Sequence, residues 1–466
     1  GEYYIINLSP GSYDLKFSMI GYAGYTAEGV SVNIDVTTPV NAALTTEAVQ
    51  MASISVSAEK PAIENTLTSS KQTIDASVFA NQGINNVNDL VSTLPGVATI
   101  GEGELHIRGG RTGEELYLVD GASTNNALFN GNAIPVNPGA IQEMELITGT
   151  FNAEYGQAMS GLFNTVLKEA SPGVHMNVGF RTQLGSDYLR EDQGAFKDND
   201  VYSETLEIPD SDTTYAAAGK GTDFSTGAFG GSTTVMDATV SVGTGALGLV
   251  ASMRQLDDPG RLPGLAEDFS SIQAKVTYQL GGNVKIGAEF MTYSRNGFYD
   301  PLYDAEKAAG AAGQLYVWDW IYALDQFPMT EEKTTQFGLS FNYVMSANTN
   351  ITLRFDNLSK TQTDGAKTTD GKFIDFVDVA TVTNAGAVYN SAEGPNHTRE
   401  MEDRTNSNAW YSLANVYGHY FKAEESHTTI GAYLTSQINN RHMIKAGFES
   451  RSYSIDRLGH DVWFGR

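Results

Sequence analysis

The sequence predicts an all-β transmembrane barrel that follows an α/β domain and, at the start of the chain, a small β-sandwich. Three observations support this fold class. Period-2 segments of about ten residues, the length that a tilted strand needs to cross a bilayer, recur between residues 172 and 466. Very short turns alternate with long connections in this region. No run of about 18 apolar residues occurs, so no membrane-spanning helix is predicted.

Ser271–Leu280 shows the strand pattern most clearly. Apolar residues lie at the even positions from Ile272 to Leu280, whereas polar side chains lie at the odd positions from Gln273 to Gln279. The turn Gly281-Gly282-Asn283 returns the chain as Val284–Tyr293. The same analysis predicts seven further strands: Val174–Arg181, Asp237–Gly243, Ala246–Arg254, Thr334–Met345, Ile351–Ser359, His427–Ile438 and Met443–Ile455.

The connections provide an independent argument. Long connections cover residues 183–235, 256–270, 295–333 and 360–426. Each of them is followed along the chain by a short turn, so long and short connections alternate. Outer-membrane barrels have short periplasmic turns and long external loops, so one orientation places every short turn in the periplasm. A soluble, secreted protein built from several sandwiches is the alternative, but it offers no reason for this alternation.

Composition excludes several classes of function. The net charge of −26 argues against a nucleic-acid partner, which requires a basic surface. The absence of cysteine excludes disulfides and thiolate metal sites. The seven histidines do not recur at metal-ligand spacing, and no nucleophile-elbow, Walker or dinucleotide motif occurs. We therefore predict no catalytic residue, no metal and no cofactor, and a protein that is not an enzyme.

Residues 94–168 form a region in which glycines separate short elements, as expected for a small α/β domain. Asp120-Gly121 is a turn pair that ends one of its strands. The predicted strands are Leu105–Arg108, Leu116–Val119, Ile141–Ile147 and Leu162–Leu167, and the predicted helices are Val78–Asn81 and Asn88–Leu94.

The order of motifs in this region resembles the plug domain of TonB-dependent outer-membrane transporters. The motifs are LPGV at 94–97, HIRGG at 106–110, YLVDG at 117–121 and EMELITG…EYG…SG…NTVLK at 143–168. The resemblance implies an outer-membrane location and a plug domain, here residues 73–171, inside a barrel of 22 strands. Residues 172–466 supply about nine of these, so we expect a partial barrel and a chain that ends in mid-barrel.

Two segments precede the plug domain. Residues 1–48 resemble part of a carboxypeptidase-regulatory-like β-domain, with predicted strands at Tyr3–Leu8, Tyr13–Met19, Val30–Val36 and Val40–Leu44. This incomplete domain is either a spacer or a docking module for a periplasmic partner. Residues 49–72 are a linker that contains a segment similar to the TonB box, a short strand that can add to a sheet edge of the partner protein. The predicted box residues are Ser53, Ile54, Ser55, Val56, Ser57 and Ala58. An ordinary linker strand packed on its own domain is the alternative.

Two groups of plug residues are predicted to have roles. The resemblance implies an ionic network that seats the plug domain against the barrel wall, formed by Arg108, Arg111, Glu115 and Asp120, with solvated surface charges as the alternative. Many family members carry an arginine in the last plug strand, where this chain has Thr148-Gly149-Thr150. A loop predicted to face the ligand contains Asn125, Asn126, Phe129 and Asn130.

The resemblance implies a mechanism in which a ligand binds the external loops and the plug, and TonB, with ExbB and ExbD, then pulls on the box. The predicted function is TonB-dependent transport of a ligand across the bacterial outer membrane, with membrane lipid around the barrel. The alternative is a plugged barrel that serves as a structural, protein-interaction or secretion-linked component and binds another outer-membrane protein.

Overall fold

The computed structural model describes most of the chain, in segments separated by gaps. The described residues are 3–6, 8–33, 37–46, 54–57, 70–75, 78, 87–100, 104–111, 113–129, 131–183, 232–259, 266–298, 329–365, 367, 372–373, 389–390, 394–395, 419–439 and 442–461. Within these ranges, no helix combines the length and the hydropathy of a membrane span.

The N-terminal β-domain contains strands β1 (Gly11–Phe17) and β2 (Tyr25–Val32), which pair antiparallel. Strand β3 (Ile54–Ser57) adds to β2 in parallel and forms an edge of the sheet β1-β2-β3. The described residues of Tyr3–Leu8 and Val40–Leu44 are not strands, so these two predictions are wrong. The Tyr3 hydroxyl donates a hydrogen bond to the Val40 carbonyl at 2.7 Å, so a side chain, rather than a backbone ladder, joins these segments.

The plug domain has a five-stranded sheet with the order β4-β9-β10-β7-β8, in which only β10 and β7 are parallel. Ile134, Ile141 and Leu146 lie fully buried in its core. The elements are β4 (Ser70–Asp75), α1 (Val87–Val91), β5 (Val97–Ile100), β6 (Glu104–Ile107), β7 (Glu115–Val119), β8 (Ala122–Ser123), the 3-10 helix Pro138–Ala140, β9 (Ile141–Thr148) and β10 (Gly161–Leu167). β5 and β6 form a separate hairpin.

Helix α1 is shorter than the predicted Asn88–Leu94 because the chain changes to tight turns after Val91. The amides of Thr93 and Leu94 donate to the carbonyls of Leu90 and Val91, three residues back, which is turn geometry rather than α-helical geometry. Of the other predicted helix, Val78–Asn81, all residues except Val78 lie outside the described residues.

The remaining large sheet has nine strands, each antiparallel to its neighbours, and this confirms the predicted strand set. They are β11 (Gly173–Gln183), β12 (Thr233–Gly243), β13 (Leu247–Asp258), β14 (Glu267–Leu280), β15 (Val284–Phe298), β16 (Met329–Ser346), β17 (Thr349–Gly365), β20 (His419–Asn439) and β21 (His442–Asp461). The two-residue strands β18 (Tyr389–Asn390) and β19 (Gly394–Pro395) pair with each other. The large sheet is open, with β11 and β21 at its edges.

The two faces of the large sheet are chemically opposite. Ile272 and Tyr278 on the outward face are 46% and 42% exposed, whereas Gln273 and Lys275 on the inward face are 1% and 8% exposed. The inward face is therefore polar and is covered by the plug domain, while the apolar residues point outward. This is the arrangement of a membrane barrel, in which lipid contacts the apolar face.

Candidate functional site

The interface between the plug domain and the inward face of the sheet is the candidate functional site. At its centre lies the turn Asp120-Gly121, which follows β7. The Asp120 carboxylate is 3.0 Å from the Lys275 ammonium and accepts a hydrogen bond of 3.1 Å from the Leu167 amide. The Arg354 guanidinium donates to the Asp120 backbone carbonyl. Two cations of the barrel wall thus converge on one turn of the plug domain.

Asn137 and Gln273 form a second contact, which is neutral. The Asn137 amide donates to Gln273 Oε1 at 3.0 Å, and Gln273 Nε2 donates to the Pro135 carbonyl at 2.8 Å. The Ser271 hydroxyl donates to Asn137 Oδ1. One buried glutamine of β14 therefore pairs with a backbone donor and a backbone acceptor of the plug domain, and without it the Asn137 amide would be buried without a partner.

A third contact holds the plug loop against β20. The Glu425 carboxylate accepts hydrogen bonds of 3.0 Å from the amides of both Ala127 and Leu128. The His427 ring nitrogen lies 3.2 Å from the Ser123 carbonyl. The barrel wall thus fixes the backbone of the loop through a charged side chain.

The four residues of the predicted ionic network have different positions. Arg108 and Arg111 are exposed, and the Arg111 amide donates to the Glu114 side chain within the plug domain. Glu115 is buried and accepts a 2.8 Å hydrogen bond from the Gly113 amide. Asp120 contacts the barrel directly. The structure therefore brings Asp120 to the wall, and a seating role for the other three residues stays a prediction.

The predicted ligand-facing loop is held by its asparagines. Asn125 accepts from the Tyr117 amide and donates to the Glu115 carbonyl, both at 2.8 Å. Asn126 Oδ1 accepts from two amides further along the loop, those of Leu128 and Phe129. The Phe129 ring is 47% exposed and packs edge-on against Phe421, with 5.4 Å between ring centroids. Asn130 lies outside the described residues, and the ligand contact stays a prediction.

Four residues of the predicted TonB box form strand β3. Its register with β2 runs from Tyr25–Ile54 to Glu28–Ser57, and Ser53 and Ala58 lie outside the described residues. β3 therefore packs on the N-terminal β-domain through one edge, as in the alternative interpretation. It is the last strand of this sheet, and no strand among the described residues pairs with its second edge.

The sequence analysis did not single out the residues that form the interface between the plug domain and the wall. On the plug side these are Asn137 and, after β10, Glu169. On the wall side they are Gln273, Lys275, Arg354 and Glu425. The inward polar face of β14 was a signal that included Gln273 and Lys275. Its partners were not identifiable, because Gln273 and Asn137 lie 136 positions apart.

A buried acidic group lies in the plug sheet. Glu145 on β9 is fully buried beside Lys71 on the edge strand β4, with which it forms an ion pair. Burial raises the pKa of Glu145 to about 8, although the charge of Lys71 opposes this shift, and the neighbouring Glu143 raises the pKa further. The protonated form of Glu145 can donate to Glu143, which leaves one negative charge for Lys71.

We expect the stability of the plug domain to fall as the pH rises from about 5 to 9, and Glu145→Gln to remove this loss. A carboxyl group whose pKa is higher in the folded state holds its proton there after the unfolded chain has lost it, so stability is greatest below the unfolded pKa. Each unit of pKa difference corresponds to about 1.4 kcal/mol. Unfolding free energies measured across this pH range test the prediction. Glu114→Gln is the control that should keep the parent slope, and equal slopes for Glu145→Gln and the parent would contradict it.

Comparison with known proteins gives an independent identification. Residues 64–162 match the family model described as TonB-dependent Receptor Plug Domain. The TonB-dependent transporter Oar of Myxococcus xanthus is 27% identical over 188 residues, which are 38% of this chain and 18% of that protein.

Two solved structures share the fold. The ferric citrate transporter FecA in its unliganded form has a TM-score of 0.51 at 10% identity, with 84% of this chain and 49% of that chain covered. BauA, the ferric preacinetobactin receptor from Acinetobacter baumannii, has a TM-score of 0.51 at 8% identity, with 85% and 48% covered. The chain spans about half the length of these two structures and a smaller part of the Myxococcus protein.

An open sheet with an apolar outward face, and a separate domain held on its polar inward face, define a plugged outer-membrane β-barrel. The plug-domain match over residues 64–162 and the Myxococcus homologue support a TonB-dependent receptor that is located in the outer membrane. The predicted family, fold class and location are confirmed. The carboxypeptidase-regulatory-like assignment of residues 1–48 and the domain boundaries stay predictions.

Proposed function

We propose that the chain is part of a TonB-dependent transporter that carries a ligand across the outer membrane. The ligand binds the external loops and the side of the plug domain that faces the cell exterior. TonB, energised by ExbB and ExbD, binds strand β3 and displaces the plug domain, and no covalent bond of the ligand changes. The names of the Myxococcus relative and of FecA, both transporters, support this proposal.

The main support is the chemistry of the plug–wall contacts. Most are hydrogen bonds and ion pairs, such as Lys275–Asp120 and Gln273–Asn137, and Met291 of β15 is an apolar exception that packs against the plug core. Polar groups can exchange these partners for water when the plug moves, so separation costs less than the pulling apart of a shared apolar core. The interface is therefore suited to a plug that is displaced and returns.

Strand β3 is suited to the proposed energy coupling. It precedes the first plug strand, β4, and in the part of the chain that the structure describes its outer edge pairs with no strand. A partner that adds to this edge gains main-chain hydrogen bonds without a preformed pocket. A pull on β3 is transmitted along the chain to β4, which is itself an edge strand of the plug sheet.

The test is capture of the full-length receptor by the periplasmic domain of TonB. Replacement of residues 53–58 by a Gly/Ser segment of equal length should reduce capture at least about tenfold, because it removes the side chains of Ile54 and Val56 and adds about 0.5–1 kcal/mol of ordering entropy per glycine, together more than about 1.4 kcal/mol. The matched control is the same replacement of residues 61–66 in the same linker, which should leave capture unchanged. Equal capture with and without residues 53–58 would overturn the coupling and favour a structural or protein-interaction role.

A further inference from the structure

The connection between the plug domain and the barrel carries an acidic residue with partners in the barrel wall and in the N-terminal β-domain. Glu169 lies between the end of β10 at Leu167 and the start of β11 at Gly173. Its two carboxylate oxygens each lie 2.7 Å from the Lys285 ammonium, and Lys275 is 3.5 Å away. Both lysines belong to the barrel wall. Glu169 thus ties the end of the plug domain to β14 and β15.

The N-terminal β-domain reaches the same cluster through Ser9. The Lys285 ammonium donates to the Ser9 hydroxyl at 3.1 Å, and Ser9 also hydrogen-bonds the Glu169 carboxylate. The Tyr13 hydroxyl donates to the Ser9 carbonyl at 2.7 Å and holds this residue in place. The start of β1 is close to the plug domain as well, because a Cβ atom placed on Gly11 would lie 3.9 Å from the Gln142 side-chain nitrogen.

Charge at the cluster is matched. Burial would raise the pKa of Glu169, but Lys275 and Lys285, together with the hydrogen bonds from Lys285 and Ser9, hold the pKa below its ordinary value. Glu169 therefore remains an anion that can accept from all of its partners at once. Charge-assisted hydrogen bonds of this kind are stronger than neutral ones.

We propose that Glu169 forms a joint, that is, a shared contact, between three domains. It holds the plug domain on the barrel through Lys275 and Lys285, and it docks the N-terminal β-domain against the barrel through Ser9. Lys285 follows the short turn 281–283, so the joint lies at the periplasmic mouth of the barrel. This role is separate from the contact of Asp120 with Lys275, because Ser9 links the joint to the N-terminal β-domain.

The joint has a consequence that rests on the proposed function. Strand β3 is paired with β2, which belongs to the domain docked by Ser9. A pull by TonB on β3 therefore reaches the plug domain by two routes: along the linker to β4, and through the docked domain to Glu169. The second route ends at the plug–barrel connection itself.

The docking can be measured without TonB, so its outcome is independent of the transport proposal. The chain has no cysteine, and spin labels at Lys16→Cys on β1 and Gly282→Cys in the turn report the distance between the N-terminal β-domain and the barrel. Both positions are exposed, and a side chain at Gly282 meets no atom within 4 Å. We expect a narrow distance distribution in the full-length receptor.

Ser9→Ala removes the hydroxyl that binds Lys285 and Glu169 and leaves their ion pair in place. It should broaden the distance distribution while hydrogen exchange of the plug amides stays unchanged. Glu169→Gln should broaden the distribution and also accelerate exchange at Leu167. Ser18→Ala, at an exposed serine of the same domain, is the control and should keep the narrow distribution. A parent-like distribution in Ser9→Ala and Glu169→Gln would overturn the proposal.

Discussion

Lys275→Met is expected to loosen the plug domain by about 3–5 kcal/mol, the usual cost when one partner of a buried ion pair is removed. Lys275 is nearly buried, contacts the Asp120 and Glu169 carboxylates, and donates to the Leu167 carbonyl. Methionine fills a similar volume but leaves the Asp120 charge without its wall partner. The Asp120 carboxylate then has to become hydrated or protonated, and either change weakens the contact that holds the plug domain on the barrel wall.

Native-state hydrogen exchange measures this effect at the plug amides. The Leu167 amide donates to Asp120, so its protection reports the stability of the turn and of β10. We expect exchange about 100-fold to 4,000-fold faster, at about 1.4 kcal/mol per factor of ten. The matched control is Lys422→Met, which removes a lysine from an exposed pair with Glu424 and should change exchange little. Parent-like protection of Leu167 in Lys275→Met would show that the ion pair does not seat the plug domain.

Gln273→Leu should produce the second large effect, about 2–4 kcal/mol, since it leaves the buried Asn137 amide without a partner and removes the hydrogen bond to the Pro135 carbonyl. A buried donor left unsatisfied costs about 1–3 kcal/mol, and an ordinary hydrogen bond contributes about 0.5–1.5 kcal/mol. Leucine is close in size to glutamine, so little of the loss comes from a cavity. Unlike Lys275→Met, this change should not depend on salt, because the lost contacts are uncharged.

Gln279→Leu is the matched control for this change. Gln279 lies on the same strand and the same face, but it is only half-buried and donates to the nearby Gly281 carbonyl. Its replacement should stay within about 0.5 kcal/mol of the parent. The comparison uses exchange of the Asn137 amide and unfolding free energy at low and high salt. Equal effects of the two substitutions would mean that Gln273 is not a plug contact of any consequence.

The effect of the Lys71–Glu145 pair on stability depends on pH in the opposite direction to that of the Lys275–Asp120 contact. The Lys275–Asp120 contact needs ionised partners, whereas the buried Glu145 in the plug sheet is least costly when it holds its proton. Measurements at several pH values therefore separate the free energy of the charged contact between the plug domain and the wall from the internal stability of the plug domain. Glu145→Gln leaves only the first of these terms.

The sequence by itself determined the strands of the barrel, their hairpin partners and their two faces. A strand has a strict period of two, so alternation in Ser271–Leu280 is enough to separate the outward Ile272 from the inward Gln273. The turn Gly281-Gly282-Asn283 then defined the partner strand. The motifs of the plug domain were also readable, because their glycines meet local backbone requirements such as the positive φ at Gly121.

Only the tertiary structure decided which polar residues meet. Inward-facing polar side chains look alike in a sequence, and their partners lie far along the chain: Asn137 for Gln273, Ala127 for Glu425, Ser9 for Lys285. Arg108 and Arg111 are exposed, whereas Glu169, in a connection that no motif marks, has partners in the barrel wall and in the N-terminal β-domain. The physical reason is that hydrogen bonds and ion pairs depend on distances below about 4 Å, which the order of residues does not contain.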